Sequence, residues 1–232
     1  MEKRIFLILN TVTLAVAILV YTITGFGDIN VRAGGEFAVS SYIIPAGFTY
    51  SMWWAIFLLL IAFVAFQWII LKRNWKWNIL QSMNVYFFLE NLALIGWMIL
   101  LKNGYAGFSV IAMFLVLLFL VILVIRLRME IWDAPLRILL FVWWPLAVFF
   151  GWMIIESITG MSAFLAGLDI GIFSDFQNVW ALIIILFTTG IFLFILFTRN
   201  LRESALVGAW GLAGISVRQG ANDTGIAVTA WA

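Results

Sequence analysis

Two carboxylates lie inside long apolar runs of the sequence, and they are the side chains best placed to do chemistry there. Glu90, followed directly by Asn91, is near the middle of one run, and Glu156 is near the end of another. A charged side chain at the centre of a bilayer costs about 2.5–3.5 kcal/mol, so such residues usually face a bundle interior and mark functional sites. Glu90 is a candidate for proton transfer or ligand binding, or it is a protonated group bonded to a neighbouring helix. Glu156 is expected to reach the membrane interface by snorkelling.

Other reactive chemistry is excluded by composition. The chain contains no Cys and no His, so it has no thiolate nucleophile, no disulfide and no imidazole or thiolate ligand for a metal or haem. It also lacks a Gly-rich phosphate loop, a nucleophile elbow and a metal-ligand cluster, so we assign no catalytic residue and no metal. The net charge of +2 gives no support for nucleic-acid binding.

Twelve of the 13 Trp residues divide into two sets by their position. Indoles at the ends of apolar runs keep the N–H in water and the ring in lipid, so they anchor the protein at the interface. Indoles inside or at the edges of the runs either fill the core or line a pocket for a flat aromatic ligand. The interfacial set is Trp68, Trp75, Trp77, Trp132 and Trp180; the second set is Trp53, Trp54, Trp97, Trp143, Trp144, Trp152 and Trp210.

Proline positions mark where helices begin and bend. Pro45 and Pro135 each open an apolar run, where the missing N–H costs nothing. Pro145 lies within a run and should kink its helix, which would re-aim Phe149 and Trp152.

The protein is predicted to be an all-α, polytopic membrane bundle. Apolar residues make up 66% of the 232 residues and charged residues only 10%, which is too few to cover a soluble globule. The runs are continuous rather than alternating, which favours helices over barrel strands. We expect one domain, 1–232, with seven full helices and the start of an eighth in a chain that stops short. The predicted spans are 5–24, 45–71, 79–101, 105–125, 135–158, 179–198 and 204–217, with 225–232 as the partial eighth.

Basic residues alternate strictly from one connecting segment to the next. Ten of the 13 Lys and Arg residues fall on the side that holds the N-terminus, and three fall on the other side. By the positive-inside rule the N-terminus is cytoplasmic. The same alternation supports the number of helices, because one missed helix would scramble it.

Several segments together resemble the tryptophan-rich sensory protein family, TspO/MBR, which includes the translocator protein (peripheral benzodiazepine receptor). Residues 45–53, P-A-G-F-T-Y-S-M-W, with Phe57 in place of the usual Tyr, are similar to the start of that family's second helix. Glu90-Asn91, followed by Trp97, lies where the family has a polar third helix.

Larger bacterial members of that family are more similar still. They share R-M-E-x-x-D-A-P, F-V-W-W-P, G-W and R-x-x-R-E-x-A-L-V-G-A-W, found here at 128–135, 141–145, 151–152 and 199–210. The compact members have five helices, and their fifth has a Trp four residues after its Pro. Here that position is Phe149, and the Trp comes at Trp152.

The resemblance implies a multi-pass protein of a bacterial inner membrane that binds a porphyrin or a sterol-like molecule, with a homodimer left open. Some relatives promote light-dependent porphyrin breakdown, so enzymatic activity also stays open. No resident cofactor is expected; a porphyrin would be a ligand, preferably metal-free because His and Cys are missing. The alternatives are a proton-coupled small-molecule transporter that uses Glu90 and a purely structural role. The predicted ligand-binding residues are Pro45, Trp53, Phe57, Glu90, Asn91, Trp97, Trp143, Pro145, Phe149 and Trp152.

Overall fold

The computed structural model of the protein describes residues 2–26, 43–73, 79–168, 176–220 and 224–231. These residues form eight helices, and a short 3₁₀ turn, Gly47–Ser51, precedes the second. We number the helices α1 (Glu2–Thr24), α2 (Met52–Lys72), α3 (Ile79–Lys102), α4 (Ala106–Arg126), α5 (Leu136–Gly167), α6 (Gln177–Arg199), α7 (Arg202–Gln219) and α8 (Thr224–Trp231).

The predicted helical membrane bundle is confirmed, with one difference in the spans. Within the described ranges, α1 to α6 are long and apolar enough to cross a membrane. The seventh predicted span is also helical, but α7 is not among these six. It has 18 residues, and Arg202, Glu203 and Arg218 lie in its first and last turns. These charges and its many small residues lower its hydropathy.

Five of the helices form a closed ring. Helix α1 packs against α2 and α3, α3 packs against α4, α4 against α5, and α5 returns to α2. Successive helices run in opposite directions. At the end of the bundle that we call the Pro45 end, the Lys102 ammonium donates to the carbonyl of Thr24 (3.2 Å). Toward the opposite end, which we call the Arg126 end, the Trp68 indole donates to Thr11 (3.0 Å). The large apolar core lies inside this ring.

Helix α5 departs from the predicted span at both Pro145 and its C-terminus. Residues Leu139–Trp143 form a π turn just before Pro145. The wider turn accommodates the pyrrolidine ring, which otherwise clashes with the carbonyl four residues earlier. The helix then continues to Gly167, past the predicted end at residue 158. The Thr159 hydroxyl donates back to the Ile155 carbonyl (2.9 Å), so a residue that favours loops is accommodated within the helix.

The remaining three helices attach to the ring through α7. Helix α7 packs against α5, α6 and α8, and α6 also contacts α8. The Ser204 hydroxyl donates to the carbonyl of Ala147 on α5 (2.7 Å). A Cβ atom on Gly151 would lie 2.7 Å from the Ser204 carbonyl oxygen, and one on Gly211 would lie 2.8 Å from Ile155. Small residues therefore let the two backbones meet, as such residues do in membrane helix pairs.

Replacing Gly151 by Ala should destabilise the protein by about 1–3 kcal/mol, the usual cost of overpacking. The added methyl group would meet backbone atoms of Ser204, which cannot rotate away. Thermal unfolding of purified protein in detergent measures the effect. Gly96→Ala is the matched control, because a Cβ at this α3 position has no atom within 4 Å. Equal melting temperatures for both variants would contradict the close α5–α7 contact.

Candidate functional site

Aromatic side chains from four segments meet inside the ring near the Pro45 end. Trp53 is at the centre and is fully buried. Its ring centroid lies 5.7 Å from Tyr21, 5.6 Å from Phe57, 6.0 Å from Trp97 and 5.9 Å from Phe149. Such pairs contribute about 0.5–1.5 kcal/mol each beyond the area that they bury. We call these five residues, together with Phe26, which contacts Trp97 at 4.9 Å, the aromatic cluster.

The pattern of α2 turns Trp53 inward. Buried residues recur along this helix at Trp53, Phe57, Leu60, Val64 and Gln67, the three- and four-residue spacing of one helix face. Trp54, one position on, points away from the ring and is 53% exposed. The sequence therefore separates two adjacent indoles, one into the core and one onto the surface.

A hydrogen bond fixes the Trp53 indole. Its N–H donates to the carboxyl oxygen Oε1 of Glu156 on α5 at 3.3 Å, and Glu156 is only 5% exposed. The expectation that Glu156 snorkels to the interface is therefore wrong. Because α5 continues to Gly167, Glu156 is well inside the helix, and its side chain is held by a core indole.

Helix α7 braces the chain just before Trp53. The amide of Ala46 donates to the Gly214 carbonyl (3.0 Å), and the Trp210 indole donates to the Thr49 carbonyl (3.1 Å). Tyr50, in the 3₁₀ turn, meets Trp152 of α5 edge-on at 5.9 Å. The position of Trp53 at the start of α2 thus depends on contacts from outside the five-helix ring.

Glu90 and Asn91 are fully buried on α3, closer to the middle of the bundle. Glu90 lies on the inward face with Phe87, Leu94 and Trp97, which are also buried. The Asn91 amide donates to the carbonyl of Phe87 (2.8 Å). Neither carboxyl oxygen of Glu90, nor the Asn91 side-chain oxygen, has a hydrogen-bond partner among the described residues.

The structure buries every predicted site residue but does not bring all ten together. Trp53, Phe57, Trp97 and Phe149 belong to the aromatic cluster, while Trp152 lies beside it toward α7. The other five residues lie elsewhere in the bundle. Pro45 precedes the 3₁₀ turn, Pro145 follows the π turn, and Trp143 contacts Trp132 with 5.6 Å between ring centroids. Glu90 and Asn91 lie at mid-bundle. Of the remaining indoles, Trp54, Trp144 and Trp210 are exposed, and Trp75 and Trp77 lie outside the described residues.

Sequence reasoning missed the contribution of the first helix. Tyr21 and Phe26 complete the aromatic cluster from α1 and the turn after it. An apolar run flags no single aromatic residue as special. The signal available was the spacing of Leu14, Ala17 and Tyr21, which puts all three on one helix face.

Two of the segments singled out in the sequence, 128–135 and 199–210, meet at the Arg126 end. Glu130 lies close to Asn200, Arg202 and Glu203, which places the α4–α5 loop against the α6–α7 loop. Partial burial, followed by the charge of Glu203, raises the pKa of Glu130, and Arg202 and Asn200 offset part of that rise. Glu130 and Asn200 both have a positive φ, at 58° and 55°. We interpret these motifs as a structural contact between loops rather than as part of the aromatic site.

A double-mutant cycle tests the central hydrogen bond. Trp53→Phe or Glu156→Leu alone should destabilise the protein by about 1–3 kcal/mol, since each leaves a buried polar group without its partner. The double variant should lose clearly less than the sum, with a coupling energy of about 0.5–3 kcal/mol in chemical unfolding. Trp54→Phe combined with Glu156→Leu is the control pair and should be additive. Additivity in both cycles would show that the bond does not contribute.

Comparison with known proteins agrees with this architecture. No curated protein and no solved structure matches the chain. The family described as TSPO-like protein matches residues 7–232, which includes all of the helices that build the ring and the three that brace it. This membrane protein therefore belongs to the TSPO-like family.

Proposed function

We propose that this TSPO-like protein binds a flat, hydrophobic ligand of the tetrapyrrole type at the aromatic cluster. The observation that carries the proposal is the convergence of two indoles and three other rings from α1, α2, α3 and α5 on one buried point. Binding sites for such molecules are mostly apolar and aromatic, with a few placed polar groups. Here the polar groups nearest the rings are Glu156 and the Trp53 N–H.

The residue types favour a metal-free ring over haem. Trp and Phe faces stack on a planar macrocycle, whereas the chain has no His or Cys to serve as an axial ligand. Trp53 is held in place by Glu156, so it offers a fixed platform. A ligand would replace contacts that the rings now make with one another.

Binding is favoured over proton-coupled transport. Glu90 lies seven residues from Trp97 along α3, so it is about 10 Å from the level of Trp53 and its partner Glu156. That separation is too long for direct proton transfer between the two carboxyls. A transport pathway would need further titratable groups between them, and the α3 residues that face inward over this stretch are apolar.

We further propose that the protein lies in a bacterial inner membrane with its N-terminus in the cytoplasm. The support is the unequal distribution of basic residues. Lys72, Arg73, Arg126, Arg137 and Arg199 lie at the Arg126 end of their helices. The positive-inside rule puts this end in the cytoplasm.

Ligand binding is tested by Trp fluorescence. Free-base protoporphyrin, at micromolar concentration, should quench the emission of purified protein, and bilins and sterols run in parallel separate the ligand classes. Trp53→Phe and Trp152→Phe should weaken the quenching, because these indoles lie in or beside the cluster. Trp144→Phe is the matched control, since this indole is exposed on α5. Protoporphyrin that leaves both absorbance and emission unchanged would refute the proposal.

Orientation is tested with single cysteines, because the natural chain has none. Arg73→Cys and Asn103→Cys place one thiol in the exposed turn at each end of the bundle. On intact cells a membrane-impermeant maleimide should label the Asn103→Cys protein only, and permeabilised cells should show labelling of both. The opposite pattern would reverse the proposed orientation.

A further inference from the structure

Three hydrogen-bond acceptors without partners lie side by side on α3. They are the two carboxyl oxygens of Glu90 and the side-chain oxygen of Asn91, both residues being fully buried. Buried polar groups are nearly always satisfied, so each such group calls for an explanation. The one hydrogen bond that Asn91 makes uses its amide nitrogen and leaves its oxygen without a donor.

Two aromatic contacts across the interior of the ring set the level of these oxygens relative to α2. Trp97 meets Trp53 at 6.0 Å, and Phe87 meets Phe63 at 4.9 Å, so the two helices run antiparallel in a fixed register. Glu90 is therefore level with Leu60, about 10 Å from Trp53 along the bundle axis. Phe57 lies between these two levels, so the Glu90 carboxyl lies directly beneath the aromatic cluster.

No donor among the described residues bonds to the three acceptors. Buried N–H groups without partners include those of Gln67, whose level is a further seven residues, about 10 Å, toward the Arg126 end, and of the indoles of Trp143 and Trp152 on α5; none of them bonds to these oxygens. The buried residues nearest this level on α2 and α3, Leu60 and Leu94, are apolar. One water molecule offers two donors, which is fewer than three acceptors require.

We propose that the ligand of the aromatic cluster carries a protonated nitrogen, and that Glu90 binds this nitrogen directly. This inference rests on the proposed function and adds the chemical class of the ligand: a flat aromatic cation, with its ring among Trp53, Phe57 and Trp97 and its N–H groups turned toward Glu90. A buried carboxyl group either stays protonated or pairs with a cation, and a charge-assisted N–H bond to the ionised form is about twice as strong as a neutral one. The oxygen of Asn91 provides a second acceptor for the same group.

Two probes with the same three-ring skeleton separate charge from shape. At slightly alkaline pH, 9-aminoacridine is a cation and acridine is neutral. Titrations of protein in a neutral detergent, corrected for empty micelles, should show that the wild type prefers the cation by about 10- to 100-fold, the range expected for one charge-assisted hydrogen bond. Glu90→Gln should remove this preference and leave acridine affinity unchanged. Glu130→Gln is the matched control and should retain it, because this carboxyl lies in the loop contact at the Arg126 end, away from the aromatic cluster.

The possible results separate the role of Glu90 from ligand binding at the aromatic cluster. If neither protoporphyrin nor either probe binds to the wild type, the proposed function itself fails; if protoporphyrin binds but the cationic probe does not, the function stands and the role of Glu90 is overturned. If both probes bind equally well and Glu90→Gln changes neither affinity, the aromatic site stands and the role of Glu90 is overturned. If the Glu90→Gln protein does not fold, Glu90→Leu serves in its place, since it removes the charge and leaves no polar atom unsatisfied. Retained cation preference in Glu90→Leu would equally overturn the inference.

Discussion

The interior of this protein depends on one polar contact in an apolar setting, the hydrogen bond from Trp53 to Glu156. An indole N–H or a carboxyl without a partner is costly in a bilayer, where no bulk water compensates for a lost hydrogen bond. The Trp53 indole and the Glu156 carboxyl therefore hold each other in place, and their hydrogen bond joins the neighbouring helices α2 and α5. The remaining rings of the aromatic cluster pack around an indole whose orientation is already set. This is why apolar side chains, which interact without direction, still meet in a defined arrangement.

Helix α7 acts on the same point from outside the ring. Five helices close the ring, and α7 adds a brace along α5. The brace works because glycines allow backbone contact, and because Ala46 and Thr49 bond to α7 just before α2 begins. Helix α7 thus restrains the start of α2, and with it the placement of Trp53.

Much of this fold follows from the sequence because apolar runs and charges report directly on membrane helices. The spans of α3 and α4 agree with prediction to within a few residues, and basic residues such as Lys72 and Arg126 mark the ends of α2 and α4. Helix α2 begins at Met52, seven residues after the predicted start at Pro45, because a 3₁₀ turn, Gly47–Ser51, comes first. The end of α5 was not predictable in the same way. Thr159 and Gly160 are typical of loops, and only the back-bonding of the hydroxyl shows why the helix continues. Part of the aromatic cluster could be predicted, because Trp53 and Trp97 stand out by residue type. Tyr21 could not, because it joins the cluster only when the five-helix ring brings α1 beside α2.

Glu90 and Glu156 show why residue type alone does not assign a role inside a membrane. In the sequence both are single carboxylates in apolar helices, and position suggested that Glu156 was the less constrained. In the bundle the difference lies in what faces each one. Glu156 bonds to an indole and becomes part of the framework, whereas neither carboxyl oxygen of Glu90 has a hydrogen-bond partner among the described residues. The fold thus supplies a partner for one of the two carboxyls, and we propose that a ligand supplies the partner for the other. Burial without a partner makes the Glu90 carboxyl costly for folding. In the binding that we propose, the same loss of hydration would strengthen the bond from Glu90 to a protonated nitrogen, so this carboxyl would give the aromatic cluster its selectivity.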